Sequence, residues 1–118
     1  MKENQLIDKS LVLASKIVKL YKYLNKEQKE TIISKQIIRS GTSIGANINE
    51  ANYGNSKADF ISKMHIAVKE TAETEYWLKL LYMSDYISKE MSESLISDCL
   101  DIKRMLIASL NTAKSSNS

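Results

Sequence analysis

No proline interrupts this chain of 118 residues, and glycine occurs only at positions 41, 45 and 54. Without proline the backbone keeps every N–H donor and meets none of the fixed-φ breaks that end helices. Apolar residues recur at steps of three and four along most of the chain, which favours long amphipathic helices. In the first stretch Leu6, Leu13, Ile17, Leu20 and Leu24 form one row, with Ile7, Leu11, Ala14, Val18 and Tyr21 beside it. Two adjacent rows make a face wider than the seam of a simple coiled coil. Further on, Phe60, Met64, Ala67, Leu78 and Leu81 form a row that Thr71 and Thr74 interrupt, and Ile61, Val68, Ala72 and Trp77 widen it. Leu95, Cys99, Ile102, Leu106 and Leu110 mark a last stripe.

Breaks between the rows set the helix count. The first helix is predicted over residues 3–24. Asn25 with Gln28 three residues on reads as a capping box opening the second, which runs to about Tyr53. There Gly54 is placed for a left-handed cap. Ser56, with Asp59 three residues later, reads as the N-cap of the third helix, and Ser88 or Ser92 as that of the fourth. Four helices with short connections predict an all-α, antiparallel up-down-up-down four-helix bundle. It forms one domain over residues 1–114, with a frayed polar tail at 115–118. No apolar run approaches the roughly 20 residues that span a bilayer, and residues 1–5 lack the apolar run of a signal peptide. Cys99 is the only cysteine, which excludes an intramolecular disulfide. These features point to the cytoplasm.

The second helix carries an unusual surface. Arg39, Ser43, Asn47 and Glu50 follow at steps of four, four and three, so they share one stripe. Gly41 and Gly45, four apart, add a smooth patch within a helix, where each costs about 1 kcal/mol relative to alanine. Close packing against a bundle neighbour, or against another subunit, is the expected compensation. With the second turn centred on Gly54 and Asn55, Arg39 comes level with Glu70 on the third helix. The third turn in the same way sets Glu70 level with Arg104. Arg39, Glu70, Glu73 and Arg104 are therefore expected to form a cross-helix ionic cluster. Together with Ser43, Asn47 and Glu50 they make a polar network that fixes helix register, or else a surface facing a pore or ligand. If that network is buried, Arg39→Ala should cost about 3–5 kcal/mol.

Charge is uneven along the chain. Residues 1–24 hold five lysines against Glu3 and Asp8, which supplies the whole net excess of +3. Lys2, Lys9 and Lys16 lie seven apart on one face, with Lys19 and Lys22 close by. Such a face can track nucleic-acid phosphates, though a solvated helix surface has the same appearance.

The stretch from Gln36 to Ala51, with Ser56, Asp59, Phe60, Ile61 and the run from Lys69 to Leu78, resembles a family of small bacterial proteins. These are the four-helix-bundle proteins encoded in intervening sequences of 23S ribosomal RNA genes. The resemblance runs from the first helix to Arg104, Met105 and Leu106. It implies an antiparallel four-helix bundle and a ring-forming homo-oligomer, with pentamers prominent. It also implies kinship with the accessory proteins of diversity-generating retroelements, basic pentamers that bind nucleic acid and a reverse transcriptase. The third and fourth helices here are neutral or slightly acidic, a departure from that basic branch. The resemblance carries no catalytic residues.

Catalytic chemistry finds little footing. A di-iron bundle site needs a Glu-x-x-His pair on each of two helices, whereas His65 is the sole histidine and Ser62 stands three before it. Ser43 has no evident base, Cys99 lies on an apolar stripe, and Gly41 and Gly45 lack the Gly-Lys-Ser/Thr ending of a phosphate loop. The sequence therefore predicts a non-enzymatic protein without metal or cofactor. It acts as a homo-oligomeric scaffold that contacts RNA or DNA weakly through the first helix, or as a protein-binding adaptor with no nucleic-acid role.

Overall fold

The computed structural model describes residues 2–115, and side chains from residue 5 onward. Helix α1 spans Lys2–Lys26, α2 Ile33–Asn52, α3 Lys57–Met83 and α4 Lys89–Ser115. Each helix packs on its neighbours in sequence and α4 returns to α1, with no close backbone approach across either diagonal among the described residues. The result is a four-helix bundle 51 Å long and about 20 Å across. Cross-helix pairs fix the antiparallel sense: as α2 descends from Arg39 to Glu50, its partners on α3 run back from Glu70 to Lys63.

The first predicted row of α1 and the stripe of α4 are buried along their length, as are Ile37, Ile44, Ile48 and Ala51 of α2. The second row of α1 lies at the edge of the core, with Ile7, Ala14, Val18 and Tyr21 half-buried and Leu11 exposed. On α3, Thr71 and Thr74 do not interrupt the core; both are fully buried within it. Each hydroxyl lies within 2.8 Å of the carbonyl four residues back, which satisfies its proton inside the helix. Thr74 Oγ1 also lies 2.9 Å from Ser40 Oγ. A hydroxyl has one proton, so both oxygens are satisfied when Thr74 donates to Glu70 O and Ser40 donates to Thr74.

Helix ends follow the predicted chemistry in part. Ser56 Oγ accepts from Asp59 N at 3.1 Å, and Ser88 Oγ from Met91 N at 3.1 Å, so Ser88 rather than Ser92 begins α4. The predicted Asn25–Gln28 box does not open α2, because α1 continues to Lys26. Glu30 does the capping instead. Its carboxylate accepts from the backbone N–H groups of Ile32, Ile33 and Ser34 at 2.8–3.0 Å, three of the orphan donors at a helix start. Gly54 is not left-handed. A Cβ there would meet the movable end of the Asp59 carboxylate at 2.5 Å and the fixed Ala51 carbonyl at 3.2 Å, so the backbone contact is the one that crowds this position. Left-handed residues instead follow α1, at Lys29 with φ 55°, and α3, where Asp85 has φ 67° and Tyr86 N donates to Leu81 O in a Schellman turn. Ser115 still belongs to α4, and the rest of the expected tail lies outside the described residues.

Candidate functional site

The stripe of α2 lies along the outer groove between α2 and α3, but it is three separate contacts rather than one network. Arg39 Nη1 approaches Glu70 Oε1 at 3.3 Å, and Nη2 donates to Glu73. Trp77 Nε1, one turn further along α3, donates to the same Glu73 oxygen at 3.0 Å. Asn47 Nδ2 donates to Ser43 Oγ at 3.0 Å. Glu50 pairs with Lys63 at 3.2 Å. Arg104 does not join the cluster; it pairs with Asp101 on its own helix. The physical reason is azimuth: α2 and α4 sit on a diagonal, so equal height along the bundle brings no contact. Lys63 and Trp77 were the partners the spacing did not single out, although Trp77 stands four after Glu73.

The cluster is also open to solvent in the single chain, with the Arg39 side chain 51% exposed. An exposed pair of this kind contributes about 1 kcal/mol or less. Arg39→Ala is therefore expected to shift the urea midpoint of the isolated chain by no more than that, well short of the cost expected for a buried network. The hydrogen bond from Trp77 is the first cause holding the Glu73 carboxyl below its ordinary range, with the Arg39 guanidinium adding to it. A lowered carboxyl pKa stabilises the fold above the usual carboxylate range, and that share fades as pH falls through the lowered value. Trp77→Phe should accordingly move the Glu73 titration upward by NMR.

Gly41 and Gly45 serve the bundle itself. A Cβ on Gly41 would lie 2.9 Å from both Cγ1 and Cγ2 of Ile17, and one on Gly45 would lie 3.0 Å from Ser10 Oγ. They let α1 and α2 approach closely. Beside these contacts, Tyr21 stands four after Ile17 and Ile38 three before Gly41, and both are half-buried. Further round α1, Val18 is half-buried and Leu11 is 68% exposed.

The lysines of α1 divide into two groups. Lys16 turns toward α4 and pairs with Asp98 at 2.8 Å. Lys9 lines the same recess as Asp8, Asp98 and Asp101. Lys2 lies outside the described side chains. Lys19 and Lys22 face solvent without an ion pair among the described residues, and Lys26 continues their row. At about 1.5 Å per residue, Lys19 to Lys26 spans roughly 10 Å of helix surface. Lys29 and Lys35 add exposed cations at the same end. Sequence spacing could have found Lys26, since 19, 22 and 26 keep a three-and-four step.

The model of the 23S rRNA-intervening sequence protein family matches residues 2–108. This chain belongs to that family. A crystal structure of a protein of unknown function from Bacteroides thetaiotaomicron, described as a member of the S23 ribosomal protein family, is 55% identical. The similarity covers 94% of this chain and 99% of that one, with a TM-score of 0.93. No curated protein matches the chain.

The remaining groups of this intervening-sequence protein set limits on its chemistry. Among the described residues no three His, Cys, Asp or Glu side chains gather as a metal-binding group, and no described helix is long and apolar enough to cross a membrane. His65 is exposed on α3. Cys99 is buried, and burial together with nearby Glu75 and Asp98 pushes its thiol up to about 12, which keeps it protonated and weakly nucleophilic. Beside it, Lys103 Nζ lies 2.7 Å from Glu75 Oε2, too oblique for a hydrogen bond but close for a charge pair.

Proposed function

We propose that this protein is a non-enzymatic cytoplasmic scaffold that assembles with copies of itself and contacts nucleic-acid phosphates through the outer lysines of α1. The observation that carries the assembly is a pair of apolar faces on opposite flanks. One is the α1–α2 flank around Leu11, Val18 and Tyr21. The other is the α3–α4 flank around Tyr76, Leu100 and Ile107, all exposed. Large apolar patches on a small domain favour burial against another chain. Two different patches on opposite sides suit a head-to-tail contact, which closes into a ring; five copies is the closure that the family resemblance implies. Lys19, Lys22 and Lys26 supply the unpaired row for phosphates.

Light scattering after size-exclusion chromatography tests the assembly. The wild type should elute as a multiple of its 13.4 kDa mass, and Leu11→Glu should reduce that mass. A wild-type monomer defeats the scaffold. For phosphate contact, anisotropy of a labelled RNA oligonucleotide should fall steeply between about 50 and about 200 mM salt. Reversing Lys19, Lys22 and Lys26 to Glu should abolish it. The second reading, a protein-binding adaptor, is favoured by the pairing of Lys16 with Asp98, which takes that lysine out of a phosphate-binding row. Under it the triple reversal leaves function intact.

A further inference from the structure

Of the neighbouring helix pairs, α1 and α4 make the sparsest contact, and toward the N-terminus of α1 their seam opens into a cleft of about 490 Å³. Among the described residues α1 lines the cleft with Gln5, Leu6 and Lys9, and α4 faces them with the small side chains of Ala108 and Ser109, which leaves the space open. Its floor is apolar, built from Leu6, Phe60 and Met105. The volume lies in the range of about 300–1,000 Å³ typical of small-molecule sites, which combine apolar walls with few polar groups. Lys9 lines the cleft and forms no ion pair among the described residues. Of the acids nearby, Asp98 is neutralised by Lys16 and Asp101 by Arg104, which leaves Asp8 in the adjoining recess. The Ser109 hydroxyl has no hydrogen-bond partner among the described residues, whereas that of Thr112 is committed to the Ala108 carbonyl. An ammonium with no ion pair among the described residues, beside an apolar cleft wall, selects a ligand with one anionic group and an apolar body.

We propose that the α1–α4 cleft binds a single amphiphilic carboxylic acid. Its apolar chain rests on Leu6, Phe60 and Met105, and its carboxylate meets Lys9 Nζ and the Ser109 hydroxyl. The site lies on a seam separate from both assembly flanks. Calorimetric titration of the full chain with monomeric octanoate should give saturable binding. Lys9→Glu, an exposed position, should weaken it by about tenfold or more, the loss of a charge-assisted contact. Ala108→Phe fills the cleft from an exposed helix position and should abolish binding with the circular dichroism unchanged. Octanol, which lacks the charge, should bind about tenfold more weakly than octanoate. Absence of saturable heat, full binding by Ala108→Phe, or equal affinity for octanol overturns the proposal. Binding to anionic vesicles without binding of monomeric octanoate overturns it as well.

Discussion

Gly41→Leu should lower stability by about 3 kcal/mol, the upper part of the usual cost of overpacking a core. The first added atom alone would sit 2.9 Å from two carbons of Ile17, with its Cβ only 3.2 Å away. These atoms lie near the α1 backbone rather than at the end of a flexible chain, so relief requires moving α1 away from α2. The gain in helix propensity on losing glycine, about 1 kcal/mol, offsets part of the clash and leaves the sign unchanged. Urea unfolding should show a lower midpoint with little change in slope. Adding Ile17→Ala vacates the same space, so the double variant should be more stable than the two separate losses predict. Strict additivity would show that the two side chains do not share one volume. Gly45→Ala should be far milder, because its nearest neighbour is the Ser10 hydroxyl, which can rotate.

That contrast marks where the sequence was legible. Spacing places the first apolar row of α1 and the stripe of α4 correctly, because a residue buried on one helix face must recur at three and four; it overreaches with the second α1 row, where Leu11 is exposed. It also brings Arg39 level with Glu70, because short turns fix the relative height of adjacent antiparallel helices. It fails for Arg104, since height carries no information on which way a helix face turns. It fails again at Thr71 and Thr74, whose hydroxyls count as polar in a sequence but are satisfied by their own helix. Glu30 escaped notice for a related reason: a carboxylate four residues ahead of Ser34 looks like surface charge until the loop folds it onto three backbone N–H groups. The stripe of α2 was recognisable as a unit, but its exposure was not, because burial depends on what lies across the groove. The cleft between α1 and α4 left no signal, being a gap between helices far apart in the chain.

Lys103→Met should destabilise the fold by about 3 kcal/mol, the cost of removing one partner from a buried ion pair. Glu75 retains only 8% of its surface, and its Oε2 is sealed from solvent with Lys103 as its compensating charge. Methionine preserves much of the lysine stem's packing, so the loss isolates the charge. Glu75→Gln added to Lys103→Met removes the stranded carboxylate and should restore most of the stability, since a buried pair and a neutral replacement of similar volume differ little. A single variant within about 1 kcal/mol of wild type would mean that water reaches this seam. The α3–α4 flank would then be wetter than its apolar residues require, and it would be a poorer surface for a second copy to cover.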